Sequence, residues 1–278
     1  MAGLAGAVTG PMANELQIRV ISAISEADQQ QWDSLVRAAH SCENGSVPPG
    51  NPFMLHGFLQ AVEDSGSASP RTGWGARHLL LEDAGGRLVG ALPCYLKGHS
   101  QGEYVFDHGW ADAFERAGGR YYPKLQCSVP FTPATGPRLL AAPGADRDRY
   151  RLALLHGLQT LAGRRDVSSA HITFMPHDEW ELAGGAGLLL RTDQQFHWYN
   201  RGYDDFDAFL SDLSSRKRKN IRKERETALA GGITIDRLTG SDLTEAVWDR
   251  FFEFYMDTGS RKWGRPYLTR RFYSLIGE

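Results

Sequence analysis

Cysteine is scarce in this chain. Cys42, Cys94 and Cys127 are odd in number, far apart, and never form a C-x-x-C pair. That spacing excludes a disulfide framework and a thiolate metal site, so no metal is expected and the setting reads as cytoplasmic. No apolar run approaches the roughly 18 residues of a membrane-spanning helix, so no membrane span is expected. The opening MAGLAGAVTGP carries no positive charge, and the first Lys or Arg is Arg19, which argues against a secretory leader. Residues 1–15 read instead as a flexible leader, with Met12 as an alternative start. Excess charge of either sign is also missing: the net value is −2, which excludes a dedicated nucleic-acid binder on charge alone.

What is present suits a folded α/β chain. The 278 residues are 41% hydrophobic and 23% charged, enough for one large or two ordinary domains. Residues 16–21 alternate apolar and polar and predict a first strand. Ser25 is placed to cap a helix over 26–39, residues 42–52 read as a loop, and Pro52 opens a second helix to about 65. Residues 77–82 and 87–96 flank Asp83-Ala84-Gly85-Gly86 and predict a β-hairpin. Further on, 146–163 predicts an amphipathic helix, 170–174 a buried strand, 179–186 a short helix and 191–199 a strand. His197 alternates there with Phe196 and Trp198, so one face is wet and His197 is a candidate ligand contact. Residues 233–238 predict another strand, and 241–257 and 267–276 two aromatic-rich helices.

Gly98-His99-Ser100-Gln101-Gly102 matches G-x-S-x-G, the pattern of a nucleophile elbow. An elbow needs a helix after it, whereas the next residues, EYVFDHGW, are aromatic and β-branched and read as strand, so a serine hydrolase is disfavoured. Residues 104–138 show no sustained period but concentrate polar chemistry: Asp107, His108, Tyr122, Lys124, Thr132, Thr135 and Arg138, with Trp110 among them. PFTPATGP, with three prolines, is a shaped loop. Such a loop is either a site wall or a plug in which Trp110, Tyr121 and Tyr122 fill the core beneath it.

The most distinctive stretch is 204–230, closed by Gly231-Gly232. Phe206, Phe209, Leu210 and Leu213 make an apolar helical face, and Asp204 or Asp205 can cap its start. From Arg216 to Glu226 seven Lys or Arg stand against two Glu, a local +5. A charge run is often only a solvated face. Here the cations cover more than one side of the helix, which is costly unless something anionic answers them. Arg216, Lys217, Lys219 and Arg222 are therefore candidate phosphate contacts.

FLSDLSSRKRKNIRKERE with GGITID after it, the block GEYVFDHGWADAFERAGGRYYPKLQCSVPFTPATGPRLL at 102–140, and TDQQFHWYN at 192–200 together resemble the FemAB-like branch of the GNAT acyltransferases. The resemblance covers nearly everything from Asn51 onward, and His108 departs from it by standing where a bulkier aromatic is expected. It implies a mostly antiparallel GNAT-like sheet flanked by helices, with 16–203 as a first domain and 204–278 as the first part of a second, truncated one. It also implies N-acyl transfer to an amine acceptor, possible without a covalent nucleophile because such catalysis rests on positioning and polarisation. The usual R/Q-x-x-G-x-G/A donor loop is missing. The donor is then acyl-CoA, or aminoacyl-tRNA as in Fem-type transfer onto cell-wall precursors, with the basic helix meeting its phosphates. Asp107 and His108 are the base candidates, and Tyr122 and Lys124 would orient the acceptor. Two other readings stand beside this one: a non-catalytic module recognising a precursor or partner protein, and an RNA-binding element centred on the basic helix. The oligomeric state is open.

Overall fold

The structure, a computed structural model, describes residues 15–39, 51–105, 107–164, 166–262 and 264–277. Nearly all of the expected leader, most of the expected 42–52 loop, and Cys42 lie outside the described residues. The described chain forms two compact units: one is built from the residues up to Leu190 together with those from Glu245 onward, the other from Arg191–Thr244.

The larger unit opens with β1 (Gln17–Ile21) and α1 (Gln29–Ala39), where the Asp28 carboxylate accepts the Gln31 N–H at 2.8 Å. The helix starts later than Ser25 would have set it. A 3-10 turn at Ile24–Glu26 comes first, and Glu26 folds back to accept from the Ser22 and Ala23 N–H groups, ending that turn. After a 3-10 turn at Pro52–Met54, α2 spans His56–Asp64. Then come β2 (Trp74–Ala76), β3 (His78–Glu82), β4 (Leu88–Leu92) and β5 (Tyr95–Lys97). The β3–β4 hairpin is present, and Asp83 Oδ1 closes its turn by accepting from the Gly85 and Arg87 N–H groups.

Among the described residues, 103–105 and 107–110 do not form the expected strand, nor is 104–138 without regular structure. α3 runs His108–Arg116 and β6 runs Lys124–Cys127. Trp110 and Phe114 at i and i+4, among Ala and Glu, carry a helical period that the β-branched Val105 obscures. β6 is buried at every position, so it lacks the alternation that marks a half-exposed strand. β7 (Leu140–Ala141), α4 (Arg147–Arg164), β8 (Ala170–Ile172) and α5 (His177–Gly185) complete this part.

Two four-stranded sheets result, ordered β1-β3-β4-β7 and β2-β5-β6-β8. All pairings are antiparallel except β6 with β8, which are joined through α4 as a parallel pair requires. The fold is therefore mixed α/β with mostly antiparallel sheets flanked by helices. Trp32 of α1 is fully buried, and its indole N–H donates to the Met54 carbonyl at 2.9 Å, tying α1 to the turn before α2. α4 lays Leu154, Leu155, Leu158 and Leu161 over the other side of the first sheet with Leu79, Leu81 and Val89.

In the smaller unit, the expected continuous helix over 204–230 is two. α6 (Phe206–Ser211) starts with Asp205 accepting the Ala208 N–H at 2.7 Å, and α7 runs Ser215–Leu229. Between them Ser214 is extended (ψ 149°), the conformation of a new helix start, which Ser favours over a helix interior. Residues 191–199 and 233–238 are not the expected strands. Among the described residues no neighbouring strand pairs with either segment, and a strand exists only as a member of a ladder.

α8 (Glu245–Arg261) and α9 (Arg270–Gly277) return to the larger unit, where α9 packs on α2. Phe272 and Tyr273 join Val62, Trp74 and Tyr95 in one cluster, and Phe272 meets Phe58 edge-on at 5.8 Å. A polar staple fixes the register: Thr269 N–H donates to Ser67 Oγ at 3.0 Å and Thr269 Oγ1 to the Ser65 carbonyl at 3.1 Å. If this docking carries stability, Phe272→Ala costs about 3–5 kcal/mol and lowers the melting temperature by roughly 10 °C. A calorimetric scan checks this, and an unchanged midpoint would contradict the docking.

Candidate functional site

Antiparallel pairing of β5 with β6 puts Lys97 directly opposite Lys124. Like charges facing each other across a ladder destabilise it, and both ammonium stems are buried, so the arrangement demands an answer. Two acids supply it. Lys124 Nζ donates to Glu103 Oε2 at 2.7 Å and to Asp107 Oδ2 at 2.6 Å. Lys97 Nζ sits 3.5 Å from the Trp74 ring centroid, donates to the Gln101 carbonyl at 3.2 Å and lies 3.9 Å from Glu103 Oε1. Two cations and two anions thus close a neutral cluster at the end of the second sheet.

Hydroxyls extend it outward. Tyr121 donates to Asp107 Oδ2 at 2.8 Å, and Ser100 Oγ lies 2.7 Å from the hydroxyl of half-buried Tyr122. Ser100 is thus a member of this network, and its G-x-S-x-G runs into a loop leading to Asp107, not into the helix an elbow needs. The loops are shaped by backbone that side chains rarely adopt. Tyr104 and Phe131 both have positive φ (56° and 59°), and the Phe131 N–H donates to the Gly102 carbonyl at 3.1 Å. Such conformations cost of order 1–3 kcal/mol each and persist only where packing holds them. At Gly102, also at positive φ, a Cβ would meet the Phe131 ring at 2.7 Å. Phe131 in turn meets Trp74 edge-on and stacks on Tyr267 at 5.1 Å, so the segment before α9 forms part of the aromatic surround.

Burial lowers the Lys97 ammonium to about 7; Glu103 opposes that fall and Lys124 adds to it. Burial also raises the Glu103 carboxyl, against the pull of Lys124 and Lys97. At Asp107 burial pushes upward too, but the hydrogen bonds from Lys124, Ser100 and Tyr121 and the Lys124 charge outweigh it, leaving the group at about 2. Burial and the Asp107 carboxylate raise the Tyr121 phenol. At neutral pH Asp107 is a fixed anion, whereas Lys97 can exist in either charge state.

The structure brings Asp107, Tyr122 and Lys124 together from the expected set. His108 and Trp110 are the exposed first and third residues of α3, with Trp110 60% exposed. Thr132 donates to the Pro130 carbonyl at 3.1 Å, and Thr135 is exposed. Arg138 is wholly buried, and its guanidinium donates to the carbonyls of Ala134 (2.6 Å), Gly136 (2.8 Å) and Thr173 (3.0 Å), so it shapes the proline-rich loop from within. His197 is exposed in the smaller unit, its Nε2 2.7 Å from Gln195 Oε1. Arg216, Lys217, Lys219 and Arg222 lie exposed on α7, and Arg222 pairs with Asp207 at 2.8 Å. Lys97 and Glu103 were missed by sequence reasoning. The one signal was Lys97 two residues after Tyr95 on a strand, which puts it on the same side as that buried ring. A groove of about 600 Å³ between α4 and α5, lined by Asp148, Arg151, Asp178 and Glu181, contains none of these residues.

Among the described residues no group of His, Cys, Asp or Glu is arranged to hold a metal ion, and no helix is long and apolar enough to cross a membrane.

The sign of the Lys97 shift yields a test. The unfolded lysine titrates near 10.5 and the folded one at about 7, so between those values the unfolded state binds more protons and stability rises with pH. Below about 7 the cost is constant. The melting temperature of the native chain, minus that of Lys97→Met, is therefore expected to increase from neutral pH toward pH 10, when both are scanned in matched buffers. A difference that stays flat across this range would mean that Lys97 keeps its proton there.

The comparisons with known proteins agree with the resemblance carried by the basic helix and the 102–140 block. A family model, FemAB-like and described as peptidoglycan biosynthesis/recognition, matches residues 23–278. No curated protein and no solved structure matches the chain. With the match spanning almost all of both units, the chain belongs to the FemAB-like peptidoglycan biosynthesis/recognition family.

Proposed function

We propose that the protein is an N-acyltransferase that moves an aminoacyl group from aminoacyl-tRNA onto an amine of a peptidoglycan precursor. The single observation that carries this reading is the family match over 23–278. Acyl-CoA is the alternative donor; the family's association with cell-wall precursors favours the tRNA ester. The reaction is taken to be cytoplasmic, where charged tRNA is available.

In this reading the acceptor amine, once deprotonated, attacks the ester carbonyl. The new amide forms, the ribose hydroxyl leaves, and the amine's proton passes through a base to the departing oxygen. We assign the base role to His108, an exposed imidazole adjacent in sequence to Asp107. Asp107, held at about 2, is a weak proton acceptor and serves to orient Lys124 and Tyr121. Half-buried Tyr122 would hold the acceptor, with the buried Lys124 supporting it from behind through Asp107 and Tyr121, and Arg216, Lys217, Lys219 and Arg222 would meet the donor's phosphates. A second reading, recognition of a precursor without turnover, is favoured by the pairing of Lys97 and Lys124 with Glu103 and Asp107 within one buried cluster.

Mass spectrometry of a peptide precursor incubated with aminoacyl-tRNA tests both readings. The native chain is expected to add one aminoacyl residue to the precursor amine. His108→Ala, an exposed substitution that should fold normally, is expected to lower the rate by about 10²-fold or more. An unchanged rate would remove His108 from the chemistry. No transfer from tRNA or from acyl-CoA, together with a precursor-dependent rise in melting temperature, would establish the recognition reading instead.

A further inference from the structure

Two features of the Arg191–Thr244 unit point beyond the acyl transfer proposed above, although two of the cations involved, Arg216 and Lys219, are also among those assigned there to the donor's phosphates. The first is how α7 divides its cations. Arg218, Arg222 and Arg225 fall at i, i+4 and i+7 and face α6: Arg218 donates to the Ser211 carbonyl at 3.3 Å, Arg222 pairs with Asp207, and the Arg225 guanidinium lies 4.1 Å from the Phe206 ring centroid. Arg216, Lys219 and Lys223 fall at i, i+3 and i+7 on the other side, all exposed. Among the described residues no ion pair or hydrogen bond engages them. Three adjacent positive charges repel one another, and an anion seated on them would relieve that repulsion.

The second feature is apolar. Phe196 is 89% exposed, Trp198 66% and Ile235 80%, and Tyr199 and Ile233 are exposed beside them in sequence. A hollow of about 500 Å³ in the same unit is lined by Trp198, Tyr203, Phe206 and Phe209. Trp198 meets Phe209 edge to face at 6.1 Å, as Tyr203 does at 5.5 Å, while Trp198 stacks on Tyr203 at 6.5 Å and Phe206 is tilted against Phe209 at 5.6 Å. Arg225 already covers one face of Phe206. The rings are thus largely engaged with one another, and the exposed apolar residues of the unit include the aliphatic Ile233 and Ile235, which offer no ring face for a nucleic-acid base to stack on. Bulky aromatic and aliphatic side chains in the same unit as a polybasic stripe match the chemistry of a bilayer interface.

We propose that the 191–244 unit docks on an anionic lipid bilayer, with Arg216, Lys219 and Lys223 facing the headgroups and Phe196, Trp198 and Ile235 entering the acyl boundary. The inference does not rest on the identity of the acyl donor or acceptor. It is tested by cosedimentation of the full chain with vesicles of phosphatidylcholine alone, or of phosphatidylcholine containing one third phosphatidylglycerol, at low and high salt. Binding is expected only to the phosphatidylglycerol vesicles and is expected to weaken with salt. The triple variant Arg216→Glu, Lys219→Glu, Lys223→Glu should weaken it by about tenfold or more, while the charge-keeping pair Lys219→Arg, Lys223→Arg should bind as the native chain does. Phe196→Ser with Ile235→Ser should abolish the part that survives high salt. Circular dichroism establishes that each variant keeps its helix content. Equal binding to both vesicle types, or full binding by the charge-reversed variant, would overturn the proposal. So would retention of a single-stranded RNA oligonucleotide without vesicle binding, or dimerisation that removes vesicle binding.

Discussion

Lys97 and Lys124 confront each other across the β5–β6 pair, in a sheet end with little access to water. Two buried ammonium groups cannot coexist there unpaired, because breaking one partner of such a cluster typically costs about 3–5 kcal/mol. Both acids that answer them lie on the connection between the two strands. Glu103 sits within the loop and Asp107 at the head of α3. The connection must therefore fold back over the sheet end. That requirement accounts for the left-handed backbone at Tyr104, the close pass of Gly102 against Phe131, and the position of α3 with His108 and Trp110 exposed on it. Asp107 gains twice, since a carboxylate at a helix N-terminus is also favoured by the helix dipole.

The same constraint sorts the polar groups by what they can do chemically. A carboxylate that accepts from both Lys124 and Tyr121 cannot easily take up a proton, so the best-ordered acid of the cluster is its poorest base. Lys97 has weaker partners: a carbonyl, a ring face and a carboxylate oxygen at 3.9 Å. It is correspondingly the group whose charge is cheapest to remove. Arg138 contrasts with both. Its guanidinium is spent on backbone carbonyls of the proline-rich loop (Ala134 and Gly136) and of Thr173 just after β8, so it acts as scaffold although its residue type suggested ligand binding.

Elements with a strong local signal were legible in the sequence: β1, the β3–β4 hairpin closed by Asp83, α4 with its leucine stripe, and the mixed α/β class. So was the neighbourhood of the cluster, since Asp107, Tyr122 and Lys124 stand within one polar stretch. What was not legible depended on pairing. Lys97 becomes chemically interesting only once the register puts it opposite Lys124, and no local pattern encodes register. α3 was hidden because Tyr104 and Val105 bias their surroundings toward strand, although the helix starts only after them. The break between α6 and α7 was written in Ser214-Ser215, but the apolar face before it and the charges after it suggested continuity.

The strands expected at 191–199 and 233–238 failed for a different reason. Alternation of apolar and polar residues states which side chains would share a face if a ladder formed; it does not supply the neighbouring strand. Without that neighbour the backbone of each segment stays open and its apolar side chains remain exposed, as Phe196, Trp198, Ile233 and Ile235 do. Exposed apolar groups of this size are not left uncovered without consequence in water. Their company with the unpaired Arg216, Lys219 and Lys223 limits the kinds of surface that can cover them. A purely apolar partner would leave the cations unanswered, and a purely anionic one would leave the rings and isoleucines in water. A surface presenting anions above hydrocarbon satisfies both, and a bilayer with acidic headgroups is the simplest object with that layering.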